Sequence, residues 1–87
     1  MFVILCYDVN AKRVGKMLKT AKKYLRPVQK SVFEGNLTEG TLHRLQDEIA
    51  HIILPEEDSA ILYCCISPTQ VTKAQLGRYV PHGESFL

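Results

Sequence analysis

The sequence predicts an α+β fold of order βαββαβ, with an antiparallel sheet carrying two helices on one face. Three observations predict it. Apolar runs of strand length stand at "FVILCY" and "SAILYCCI". Two longer segments repeat apolar residues at helical spacing. Pro27 and Pro55 stop those two segments. A chain of 87 residues makes one domain, 1–87, with a thin stability margin.

The elements follow in order. Phe2 to Tyr7 reads as a strand that ends at Asp8. Asn10 caps a helix from about Ala11 to Leu25, whose buried face is Val14, Met17, Leu18, Ala21 and Leu25. "VQKSVFEG" is the next strand, stopped by Gly35 and Asn36. Alternation puts Gln29, Ser31 and Phe33 on one of its faces and Val28, Lys30 and Val32 on the other. Neither face is uniformly apolar, as suits a strand near the sheet edge.

Thr38 caps a second helix with Glu39 in its first turn, and Leu42, Leu45, Ile49, Ile52 and Ile53 form its stripe. Ser59 to Ile66 is a further strand. A short strand is expected near Lys73 to Leu76, with room for another in the tail from about 77 to 87. The first strand and "SAILYCCI" are apolar on both faces, yet helices cover only one. A second copy of the chain is the expected cover, which predicts a homodimer.

No apolar run reaches the ~18 residues of a membrane span. The N-terminal apolar run meets Asp8 too early for a signal peptide. A soluble, cytoplasmic protein with no membrane partner is expected. Cys6, Cys64 and Cys65 sit inside strands without metal-ligand or C-x-x-C spacing, so free thiols are expected rather than a zinc or redox site. His43 and His51 on the second helix and His82 in a Pro-Gly turn read as surface residues, leaving no evident general base.

The net charge of +2 conceals an asymmetry. Between Asp8 and Glu34 lie eight cations and no acid, while the rest of the chain holds three basic and nine acidic residues, counting Asp8 and Glu34. On a helical wheel Lys12, Lys16, Lys19 and Lys23 form one stripe about 16 Å long. Such a stripe is either a solvated face or a seat for phosphates, and its single sign favours a nucleic-acid backbone.

Asp8 ends a strand just before a helix, where a carboxylate serves as a turn residue or as a magnesium ligand. One Asp per chain is few ligands for magnesium (Mg2+). Two copies about a twofold axis would supply two.

Taken together, "CYDV", the Lys-Arg pair opening the helix, "VQKSVFEGNLT", the Leu-rich second helix and "DSAILYCCIS" resemble the small CRISPR-associated Cas-two family. The resemblance runs to about Ile66. It implies a ferredoxin-like fold, a homodimer joined between sheets, and a role in acquiring spacers as partner of the Cas-one integrase. It also implies a magnesium-dependent endonuclease acting on RNA or DNA, and makes the tail from about 77 to 87 a candidate for pairing with the partner's sheet or with the integrase. Asp8 matches the family's metal-site aspartate, Tyr7 the residue before it, Arg13 a basic residue early in the helix, and Phe33 the aromatic of the SVF segment. The run "LRPVQ" departs from the family, with Leu25 where glycine is frequent and Pro27 where arginine is.

The site thus expected comprises Asp8, Tyr7, Arg13 and Phe33 as catalytic residues with Asp8 as the metal ligand. Lys12, Lys16, Lys19, Lys23, Gln29 and Ser31 are the phosphate contacts. Phe33 could equally be plain core and Ser31 a tolerated strand residue. The competing functional class is a non-catalytic scaffold that clamps nucleic acid beside the integrase. An RNA-recognition module is excluded, because no strand carries its aromatic signature.

Overall fold

The structure is a computed structural model that describes residues 1–67 and 69–78. Its order is β1 (Phe2–Asp8), α1 (Ala11–Tyr24), β2 (Arg26–Gln29), β3 (Val32–Asn36), α2 (Glu39–Ile52), β4 (Ser59–Ser67) and β5 (Gln70–Gly77). The strands form one antiparallel sheet of order β2-β3-β1-β4-β5, with β1 at its centre. This is the ferredoxin-like arrangement with an additional edge strand, β5. His82 and most of the candidate pairing tail lie outside the described residues.

Alternation along β1 divides the sheet. Val3, Leu5 and Tyr7 are buried under the helices beside Ala60, Leu62 and Cys64 of β4, while Ile4, Cys6 and Asp8 belong to the opposite face. That opposite face also carries Val32, Tyr63 and Cys65, all half-buried, and the exposed Val71. Met17, Ala21, Leu45 and Ile49 close the core from the helical side. No helix among the described residues is long and apolar enough to cross a membrane.

Both helix starts are capped as their sequences predict. The Asn10 side chain accepts from the Lys12 amide at 3.0 Å, and the Thr38 hydroxyl accepts from the Thr41 amide at 3.2 Å.

Two expectations require correction. The βαββαβ order calls for two strands between the helices and the structure has both, but the single strand drawn through "VQKSVFEG" is in fact a hairpin. Arg26–Gln29 turns at Lys30 and Ser31 and pairs back on Val32–Asn36, with a register shift between Pro27 and Gln29. Ser31 occupies the left-handed region, φ 64°, a conformation that costs a residue other than glycine about 1 kcal/mol. Its carbonyl accepts from the Tyr7 amide at 3.1 Å, which holds the turn against β1. Gln29, Ser31 and Phe33 therefore do not share a strand face.

The second correction concerns the roll of α1. Met17, Thr20 and Ala21 are buried, but Val14 and Leu18 are 41% and 37% exposed. The buried arc is turned roughly 60° from the predicted one, toward the lysines, at 100° per residue.

The cause of the roll is a buried carboxylate. Asp58, which has no exposed surface, accepts from the Asn10 amide (2.8 Å), the Leu54 amide (2.9 Å), Arg13 Nε (2.5 Å) and Arg13 Nη2 (3.1 Å). Glu57 binds the same guanidinium at 2.8 Å. A carboxylate this deep requires such partners, so Arg13 turns inward and α1 turns with it. The Asp58 carbonyl accepts in turn from the Arg78 amide at 2.7 Å. Gly77 permits that approach: its φ is +85°, and a Cβ there would run into the Asp58 carbonyl.

Arg13, followed by the Leu54 and Asn10 amides, holds the Asp58 carboxyl down at about 2 against an ordinary value of 3.8. The stability it contributes is complete above pH 3.8 and is lost as the pH falls toward 2. Asp58→Ala is expected to destabilise the fold by roughly 3 kcal/mol at neutral pH, because it leaves Arg13 unpaired. In urea melts, the gap between wild type and this variant should narrow between about pH 4 and 2. A gap that does not change with pH would show that the carboxylate's charge is not what stabilises this junction.

Candidate active site around Asp8

Asp8 ends β1 opposite Ser59 of β4, exposed, on the sheet face that the helices leave open. Among the described residues no side chain bonds its carboxylate or forms an ion pair with it. It borders two concavities. One is a groove of about 590 Å³ between α1 and the β2–β3 hairpin. The other, about 230 Å³, lies on the open face among Cys6, Val32, Ser59 and Ile61. Ser31 and Lys30 border both.

The alternation that exposes Asp8 buries Tyr7, whose ring stacks on Phe33 with centroids 6.0 Å apart and planes 20° from parallel. Burial pushes the Tyr7 phenol above its ordinary value, with Ser31 opposing the shift. Tyr7 is thus a neutral phenol at physiological pH and shapes the site rather than supplying a base. Phe33, 1% exposed, pairs with Leu5 in the core while touching the groove. It is core packing and does not stand on the open sheet face.

Tyr7, Asp8, Gln29, Ser31 and Phe33 are thus brought together. Arg13 is not: its guanidinium is taken up by Asp58 and Glu57. The lysine stripe also lies apart from the groove. With α1 rolled, Lys16 and Lys19 lie along α2 beside Asp47, Glu48 and His51. Lys23 pairs with Glu48, which also accepts from the Tyr24 hydroxyl. The Lys23 and Tyr24 hydrogen bonds hold the Glu48 carboxyl below its ordinary value. Within α1 no acid relieves the stripe, but α2 supplies one across the helix pair.

Two cations that the sequence reading left out of the site, Lys22 and Lys30, reach the groove. Lys22 lies one turn beyond Leu18, so a wheel centred on the true buried arc finds it. Lys30 depends on the hairpin turn, which has no glycine or asparagine to announce it.

The donor set of the chain alone is sparse. Among the described residues no three His, Cys, Asp or Glu side chains group closely enough to hold a metal ion. Asp8 is nevertheless a hard, accessible oxygen donor. That suits magnesium, which keeps several waters and takes one or two carboxylates together with substrate phosphate oxygens. His43 and His51 lie exposed on α2, where the His51 Nδ1–H donates to the Asp47 carbonyl at 2.7 Å, and neither lines the groove.

Comparison with known proteins bears on this geometry. A family model described as CRISPR associated protein Cas2 matches residues 1–74. The CRISPR-associated endoribonuclease Cas2 of Dictyoglomus turgidum is 52% identical over 63 residues, 72% of this chain and 72% of that protein. Its namesake from Thermotoga maritima is 51% identical over 63 residues, again 72% of each chain. Among solved structures, Streptococcus pyogenes Cas2 is 31% identical with a TM-score of 0.69, over 75% of this chain and 86% of that one. A further crystal structure of a Cas2 protein is 33% identical with a TM-score of 0.65, over 90% of this chain and 76% of that one. With its match running from the first strand into the last, and its central aspartate at the end of β1, the chain belongs to the CRISPR-associated Cas2 family.

Proposed function

We propose that this protein is a homodimeric, magnesium-dependent endonuclease of the CRISPR adaptation machinery, hydrolysing phosphodiester bonds of RNA or DNA in the cytoplasm beside an integrase partner. The observation that carries the reading is Asp8, an exposed carboxylate at the end of the central strand, unpaired among the described residues and on an apolar sheet face that α1 and α2 leave open. A second copy seated on that face would bury its apolar residues and bring a second Asp8 toward the first. Relatives named as endoribonucleases support the reaction class.

The residues divide the work. Asp8 is the carboxylate that would hold magnesium, which when bound polarises phosphate oxygens and lowers the pKa of a bound water. Tyr7 and Phe33, stacked, fix the strand end from which Asp8 projects. Ser31 and Gln29 present polar groups at the groove. Arg13 acts through Asp58, bracing the turn that follows Asp8. Lys12, Lys16 and Lys19, which form no ion pair among the described residues, offer phosphate contacts along α1, and Lys23 is shared with Glu48.

One observation favours a second reading, a non-catalytic scaffold that clamps nucleic acid for the integrase. Among the described residues, Asp8 is the only acidic side chain at either concavity beside it. The two readings separate on one variant.

Asp8→Ala should abolish magnesium-dependent cleavage of oligonucleotides while leaving the fold intact by circular dichroism. Undiminished cleavage would remove Asp8 from the reaction. Spacer acquisition that persists in the variant, with no cleavage by wild type, would establish the scaffold. Replacing Lys16 and Lys19 by Gln should flatten the dependence of log K on log salt by roughly 0.7–0.9 for each phosphate no longer neutralised. An unchanged slope would place the polyanion elsewhere.

A further inference from the structure

We propose that the groove between α1 and the β2–β3 hairpin seats one unpaired nucleotide, base inward and phosphate at the rim, next to Asp8. The inference deepens the proposed function, on which it rests only in taking nucleic acid as the ligand.

The groove's volume, about 590 Å³, falls in the range that holds a small organic ligand. Its walls are apolar side chains left uncovered by the roll of α1: Val14, Leu18 and, across from them, Pro27. Its rim is cationic. Lys22 and Lys30 border it without an anionic partner among the described residues, and Gln29 adds an amide that both donates and accepts.

A nucleotide divides its chemistry the same way, with a flat base that favours apolar contact and a phosphate that favours lysine. A phosphate backbone alone leaves the walls unused. An apolar peptide leaves two lysines uncompensated. Charge and polarity together therefore select a nucleotide. A base inside a duplex is stacked and paired, and must be extruded before it can enter such a groove. The groove thus favours a strand that is unpaired beside Asp8.

The test uses the full chain with methyl-labelled Val and Leu. Titration with uridine and deoxyuridine 5′-monophosphate should shift the Val14 and Leu18 methyl resonances, while inorganic phosphate at equal concentration should not. The two nucleotides also separate ribose from deoxyribose preference. Leu18→Asp, at a position already 37% exposed, should weaken single-stranded oligonucleotide binding by about fivefold or more, the lower end of one base contact. It should leave duplex binding unchanged.

Neither measurement needs cleavage, so an inactive Asp8 would leave this inference standing. Methyls that ignore both nucleotides, or that respond equally to phosphate, would overturn it. So would an equal loss of duplex and single-strand binding in Leu18→Asp.

Discussion

Asp58 has its carboxylate sealed from water, and much of the molecule is arranged to answer it. A buried anion without partners is costly, so the chain must bring donors to it. Arg13 comes from α1, the Asn10 amide from the turn after β1, and the Leu54 amide from the end of α2. Asn10 and Arg13 lie 48 and 45 residues from Asp58, and their bonds to it fix how α1 sits on the sheet. With Arg13 inward, the helix cannot bury the face that its apolar residues alone would choose. Val14 and Leu18 are left over a groove, and the lysines are carried toward α2. The electrostatics of one residue thereby set the shape of the surface beside Asp8.

The same junction redistributes charge. Of the eight cations between Asp8 and Glu34, Arg13, Lys23 and Arg26 are held in ion pairs by Asp58 and Glu57, Glu48 and Glu34 respectively. The exposed pairs contribute little stability in water, but they change what the surface offers. The remaining five fall into two groups, Lys12, Lys16 and Lys19 along the helix and Lys22 and Lys30 at the groove. A uniformly basic segment becomes two separate cationic patches, with the apolar wall of the groove beside the second.

Much of the fold was legible because its signals are local. Apolar runs announced β1 and β4, and Asn10 and Thr38 announced helix starts that their side-chain bonds bear out. The position of Asp8 at a strand end could be read directly. What could not be read depends on distance or on an unusual backbone. The roll of α1 follows from a pair 45 residues apart, and an arginine in a basic helix looks like one more surface cation. The β2–β3 turn is made by a serine at positive φ, so alternation ran unbroken through it and put Ser31 and Phe33 on one face. Lys22 and Lys30 were missed for these same two reasons.

The close approach at Gly77 carries a mechanical consequence. Where β5 ends, the chain is knotted by the Arg78 amide to the very residue that grips Arg13 and Asn10. The end of β5 is thereby tied to the loop preceding β4, whose next residue, Ser59, pairs with Asp8 of β1. The end of β5 and the acidic group that closes the central strand are thus joined through the backbone and side chain of one buried residue.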